Sequence, residues 1–107
     1  MQAFDHLYET ITFRRNNPQE GSYTCYLFDK GLDKVLKKLG EECAEAIIAA
    51  KNNDREELIY ELSDLVFHAA VLMAQMGILP DDIAQELDRR AQKQGNLKQF
   101  HQVDKNT

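Results

Sequence analysis

The chain has 107 residues, one domain's worth, with 18 Asp and Glu against 13 Lys and Arg and a formal net charge of −5. That acidic balance excludes the basic patch of a nucleic-acid-binding module, and no apolar run reaches the length of a membrane span. Scarce glycine and proline, no tryptophan, and a middle rich in Ala, Leu, Glu and Lys favour helix throughout.

The first segment, Met1 to Tyr8, lacks the charged and apolar regions of a signal peptide. A helix is predicted from about Phe4 to Arg14, where Phe4, Leu7, Tyr8 and Ile11 fall on one face. Asn16, Asn17, Pro18 and Gly21 break it, and Ser22 or Thr24 can cap the next segment. That second segment begins near Cys25 and pauses at Gly31. A long helix is predicted from Leu32 to Lys51, with Leu32, Val35, Leu36, Leu39, Cys43, Ala46, Ile47 and Ala50 as its stripe. Asn52 and Asn53 end it. Asp54 is a natural N-cap for the next helix, with Glu57 three residues on.

That helix is predicted over Arg55 to Met76, on a stripe of Leu58, Leu62, Leu65, Val66, Ala69, Met73 and Met76. Gly77 stops it. Pro80 and Asp81 start a last helix to about Ala91. The division expected is a helical domain over 1–91 and a polar tail over 92–107, pinned by Leu97 and Phe100.

The fold class expected is all-α, an antiparallel helical bundle. Both long helices carry more than one apolar stripe: Ile48 points almost opposite Leu39, and Val71 opposite Leu62, at about 100° per residue. Tyr60 and Phe67 also lie off the main stripe. A helix apolar most of the way round is buried most of the way round, which a lone helix pair does not achieve. One reading is a bundle completed by a second copy of the chain, as a homodimer or homotetramer. The other is that a few aliphatic residues are exposed, which is common. Cys25 and Cys43 have no metal-ligand spacing and read as reduced structural thiols of a cytoplasmic protein.

The carboxylates carry the chemistry. Glu41, Glu42 and Glu45 lie within about one helical turn, and Glu61 and Asp64 repeat the pattern on the next helix. Counting outward from the turn at Asn52 to Asp54 puts Glu45 level with Glu61, and Glu41 level with Asp64. Carboxylates this close repel and raise one another's proton affinity. Oxygen-only ligands suit Mg²⁺ or Mn²⁺, which would leave positions for water and phosphate. The plainer alternative is a solvated acidic face. Against it, Ala44, Ile48, Phe67 and Val71 border the carboxylates, and Glu42 and Glu45 lack the lysine three or four residues on that surface helices often carry. Lys30, Lys34, Lys37 and Lys38, with Arg14 and Arg15 upstream, could grip phosphates or simply keep the surface soluble. His68, four residues after Asp64, is either a hydrogen-bonded core histidine or a metal ligand. No glutamate has a histidine three residues later, so a di-iron bundle is set aside. Nor does a nucleophilic triad, glycine-rich phosphate loop or dinucleotide fingerprint occur.

Glu41-Glu42-x-x-Glu45 followed by Glu61-x-x-Asp64 resembles the signature of the all-helical nucleoside-triphosphate pyrophosphohydrolases. A longer match, over about Leu7 to Arg90, is to the phosphoribosyl-ATP pyrophosphohydrolases of histidine biosynthesis. Gly21-Ser22-Tyr23-Thr24, Leu27-Phe28, Lys30-Gly31, Lys37-Lys38-x-Gly40-Glu41-Glu42 and Asp54 through Glu61 carry it. Cys43 departs from the small residue expected there, which bears on packing.

The resemblance implies hydrolysis of phosphoribosyl-ATP to phosphoribosyl-AMP and pyrophosphate, with Mg²⁺ (Mn²⁺ as an alternative), in a homo-oligomer. It makes Glu41, Glu42, Glu45, Glu61 and Asp64 metal ligands, with Glu42 or Glu45 as the base. Ser22, Tyr23, Thr24 and Lys30 become candidate substrate contacts, joined by Lys34 and Lys38. The next pathway enzyme, phosphoribosyl-AMP cyclohydrolase, is expected on a separate chain. Two competing readings are a house-cleaning pyrophosphohydrolase of ordinary or damaged nucleotides and a non-catalytic helical oligomerisation module.

Overall fold

The structure is a computed structural model and describes residues 2–93. Within them the chain forms five helices: α1 (Gln2–Asn16), α2 (Tyr23–Lys30), α3 (Leu32–Lys51), α4 (Arg55–Met76) and α5 (Pro80–Gln92). The tail from residue 94, with Leu97 and Phe100, lies outside the described residues. The all-α expectation holds among the described residues, and the two long helices begin and end where the sequence placed them.

Each boundary has a local cause. Ser22 caps α2, its hydroxyl accepting from the Cys25 N–H at 3.2 Å. Gly31, at φ +91°, lets the chain leave α2 and enter α3 at once. Asp54 caps α4 by accepting from the Glu57 N–H at 3.1 Å. Only half of the expected capping box forms, because the Glu57 carboxyl lies against Glu61 instead of returning to Asp54. Gly77 ends α4 in the left-handed region at φ +71°, and the Ile78 N–H returns to the Met73 carbonyl at 2.8 Å. The Tyr8 hydroxyl then donates to the Ile78 carbonyl at 2.8 Å, fastening this end to α1.

The three-residue turn between α3 and α4 makes them antiparallel neighbours along most of their length. α1 and α2 cover one end of the pair, and α5 touches α1 and buries no residue of its own. The core sits at that covered end: Tyr8 and Ile11 of α1, Leu27 of α2, Val35 of α3, and Ala70, Val71, Met73 and Ala74 of α4. Near the turn only small side chains, Ala46 and Ala49, fill the gap between the long helices.

Two expectations do not hold. The α4 stripe through Leu62 and Val66 does not make the core. Val71, on the opposite face, is fully buried, whereas Leu62 is 44% exposed. Both faces are apolar, and α1, α2 and α3 pack on the other one. In α3 the buried face runs Val35, Glu42, Ala46, Ala49, so Leu36, Cys43, Ile47 and Ala50 of the expected stripe stand exposed. Of the two upstream arginines, Arg15 is engaged at the end of α4. Its guanidinium donates to the Ala74 carbonyl at 2.5 Å and lies 5.3 Å over the Phe28 ring, neutralising the C-terminal end of α4.

The radius of gyration is 16.5 Å, against about 13 Å for a compact domain of 100 residues. The long helices therefore form an open half-bundle. Among the described residues, no single helix is long and apolar enough to cross a membrane.

Asp54 sets the start of α4 and hence the height of its carboxylates. Asp54→Ala is expected to cost about 0.5–2 kcal/mol, as for other N-caps. A fall in melting temperature of roughly 4–8 °C per kcal/mol would register it; an unchanged melting curve would contradict it.

Candidate active site

α3 and α4 face each other through two levels of carboxylates. At the level nearer the turn, Glu45 of α3 meets Glu61 and Glu57 of α4. Glu61 is only 5% exposed, and its Oε1 is buried without a hydrogen-bond partner. Burial, reinforced by hydrogen bonding and repulsion from Glu45 and Glu57, pushes the Glu61 carboxyl up to about 7. A cleft of about 350 Å³ opens here, lined by Glu45, Ile48, Asp54, Glu57 and Glu61 among others. Glu45 and Glu61 are thus level, as the count from the turn gave, and Ile48 borders them.

Just under one turn further from the loop, Glu42 occupies the buried face of α3. It lies in that face because Val35, Glu42, Ala46 and Ala49 follow spacings of seven, four and three. Its Oε1 is 2.7 Å from His68 Nδ1. The same Nδ1 is 2.9 Å from the Asp64 backbone carbonyl. His68 Nε2 in turn lies 2.9 Å from the Tyr23 hydroxyl of α2. His68 is therefore a buried, hydrogen-bonded histidine, the first of its two sequence alternatives. Burial raises the Glu42 carboxyl, opposed by His68 and reinforced by the Asp64 charge. Burial also raises the Tyr23 phenol, against the nearby Lys38 charge.

Glu41 stands exposed beside Glu42, rotated about 100° around the helix, so Glu42 is the α3 carboxylate that faces Asp64. Among the described residues, no three carboxylate, histidine or thiol groups are already gathered closely enough to hold a metal ion. The donors instead stand in two pairs, Glu45 with Glu61 and Glu42 with Asp64. The orphaned, buried Oε1 of Glu61 and an all-oxygen donor set fit a hard divalent cation.

The expected substrate contacts gather at the α2 end. Lys30 and Lys34 place their ammonium groups 5.8 and 5.9 Å from the centroid of Tyr26. Tyr23 stacks between Tyr26 and Phe67, both at 5.9 Å. Ser22 and Tyr23 line a groove of about 620 Å³ with Gly21, Cys25 and Tyr26. Ser22 also serves as the α2 cap, and Thr24 lies half-buried in the first turn. Sequence reasoning missed two members of the site. Glu57 was read only as a capping partner, although its four-residue spacing to Glu61 puts both on one face. The link from Tyr23 to His68 crosses 45 residues of chain and carries no local signal.

Residues 4–91 match the family model described as phosphoribosyl-ATP pyrophosphohydrolase. The chain belongs to that family. The phosphoribosyl-ATP pyrophosphatase of Leuconostoc mesenteroides is 55% identical over 96 residues, covering 90% of this chain and 83% of its own. That of Bacillus cereus is 50% identical over 102 residues, 95% of each chain. A histidine biosynthesis bifunctional protein, HisIE, of Caldanaerobacter subterraneus is 50% identical over 93 residues. That match takes in 87% of this chain and spans 45% of the longer protein. The matched span holds every carboxylate of both levels.

The raised Glu61 carboxyl has a consequence for this phosphoribosyl-ATP pyrophosphohydrolase family member. Between its ordinary value of 4.5 and about 7, the folded chain keeps a proton that the unfolded chain has released. Raising pH through that window therefore lowers stability, and the loss is complete above it. Glu61→Gln should flatten this fall and raise the melting temperature near pH 8 relative to wild type. Parallel profiles for the two proteins from about pH 5 to about pH 8 would refute the assignment.

Proposed function

We propose that this chain hydrolyses phosphoribosyl-ATP to phosphoribosyl-AMP and pyrophosphate, the second step of histidine biosynthesis. The observation that carries the reading is the facing of Glu45 with Glu61 and Glu42 with Asp64, inside a span that matches this family over residues 4–91. Chemically, water adds to a phosphorus of the triphosphate, the bond to the bridging oxygen breaks, and pyrophosphate leaves.

Glu42, Glu45, Glu61 and Asp64 would hold Mg²⁺, or Mn²⁺ in its place, with exposed Glu41 beside them as a fifth oxygen donor from the outer side. The unpartnered Glu61 Oε1 supports that reading. A cation bound there supplies charge neutralisation on the phosphates and a more acidic water. Of the two candidate bases, Glu45 is exposed at the cleft and Glu42 already accepts from His68, which favours Glu45 as the group that takes the water's proton. Lys30, Lys34 and Lys38 flank the carboxylates on the α2 side and suit the triphosphate oxygens. Ser22, Tyr23 and Thr24, at the start of α2, suit the remainder of the substrate.

The same proposal completes the half-bundle with a second copy of the chain. Ile47, Ile48, Ile59, Tyr60, Leu62 and Val66 are large, apolar and exposed on the long helices. Leu62 and Val66 join Ala3, Phe4 and Leu7 in an apolar groove of about 440 Å³. Such a face is what an oligomer interface covers. We place the protein in the cytoplasm, in keeping with the free thiols of Cys25 and Cys43. Phosphoribosyl-AMP cyclohydrolase is the activity that would take the product.

Glu45→Gln and Asp64→Asn are each expected to lower pyrophosphate release from phosphoribosyl-ATP and Mg²⁺ by about 100-fold or more, as for loss of a group that stabilises the transition state. Near-wild-type rates in both variants would sink the metal-site proposal. A preference for dCTP or dUTP over phosphoribosyl-ATP would sink the substrate. Light scattering of the wild type should give a dimer or tetramer mass, with Leu62→Asp shifting it towards monomer. A monomeric wild type would remove the second copy from the proposal.

A further inference from the structure

We infer that His68 is a positioning residue, which holds the Glu42 carboxylate in its working orientation and ties it to Tyr23 at the start of α2. The inference rests on the reading of the carboxylates as a hydrolytic site. It adds a residue to which that reading gives no part.

The hydrogen bonds fix the direction of the link. Two groups approach Nδ1, the Glu42 Oε1 at 2.7 Å and the Asp64 backbone carbonyl at 2.9 Å. The carbonyl is an acceptor only, so a bare Nδ1 lone pair there would meet another lone pair. Nδ1 therefore carries the proton and donates to both. In the neutral ring Nε2 is then an acceptor, and the Tyr23 hydroxyl at 2.9 Å donates to it. The ring is held by both nitrogens, with Phe67 and Tyr23 edge-on at 5.1 and 5.7 Å.

This arrangement does three things to Glu42. It commits Oε1 to His68 and leaves Oε2 as the oxygen available to the site. It fixes the plane of a carboxylate that is itself buried and would otherwise lack a donor. It also connects α4 to α2 through a side chain that no sequence-local pairing supplies. The Tyr23 ring lines the groove of about 620 Å³ beside Ser22 and Tyr26. A ligand that moves Tyr23 therefore acts on Glu42 through one imidazole. Partners of this kind, one step removed from the reacting groups, change rates by about 10–100-fold when lost.

Two amides separate the two ring nitrogens. The Asn side chain places an N–H where Nδ1 stands, and the Gln side chain places one where Nε2 stands. With phosphoribosyl-ATP and Mg²⁺, His68→Gln should lower kcat about 10–100-fold with KM within about twofold, and His68→Asn should recover most of that loss. Equal kcat in the two variants, or a loss confined to KM, would overturn the inference. Because a buried histidine variant can fail to fold, ¹⁵N NMR of the wild type provides an independent reading. It should show the Nδ1–H tautomer for His68, and the Nε2–H tautomer would overturn the inference. Failure of the wild type to hydrolyse phosphoribosyl-ATP would instead overturn the function. The tautomer, which needs no substrate, would still decide whether His68 holds Glu42.

Discussion

The antiparallel pairing of α3 with α4, at a register set by a three-residue turn, is the constraint on which the rest depends. Asn53 takes a left-handed conformation at φ +54°, one of the few that a non-glycine residue tolerates without large strain. The Asp54 N–H bonds back to the Ala49 carbonyl at 3.0 Å, and the Asp54 side chain opens α4. With that turn fixed, Glu45 must lie level with Glu61, and Glu42 level with Asp64 and His68. A shift of one residue in either helix would rotate these groups by about 100° and separate them. Ala46 and Ala49 let the helices approach closely here.

The site is where the protein departs from the rules that the rest of it obeys. Core positions elsewhere are apolar, whereas Glu42, Glu61 and His68 are buried ionisable groups in the same helix pair. Glu42 and His68 satisfy one another. Glu61 lies beside the carboxylates of Glu45 and Glu57, and its proton affinity is raised first by burial and then by that crowding. Such an arrangement destabilises the unliganded chain and pre-forms a place for positive charge. The lysines on the α2 side carry the opposite charge, and Lys38 lowers the proton affinity of Glu42 and Tyr23 that burial raises.

The packing is equally uneven. α1 and α2 close one end of the long pair over Leu27, Val35 and Val71, and Arg15 and Tyr8 fasten that end by hydrogen bonds to the last turn of α4 and the loop after it. The other end, with Ile47, Ile48, Ile59 and Tyr60, stays open. The carboxylate cleft lies at this open end beside the turn, lined by Asn52 and Asp54 with Ile48 on its rim. A second copy covering the open face would bury apolar surface beside the cleft and lower its dielectric, strengthening every charge interaction within it.

The sequence by itself determined the helices, their ends and the level of the carboxylates. Caps, glycines and helical spacing act over a few residues, so Ser22, Gly31, Asp54 and Gly77 announce themselves. Counting from a short turn suffices to align Glu45 with Glu61. Only the tertiary structure decided which apolar face of each long helix is buried. Leu62 and Val71 are both apolar and look alike in a periodicity, and the choice lies with where α1 and α2 dock. It also decided that Glu42 turns inward while Glu41 stays outside, and that Tyr23, His68 and Glu42 meet. Those three residues stand on three different helices, and a hydrogen bond spanning 45 residues of chain leaves no mark in local spacing.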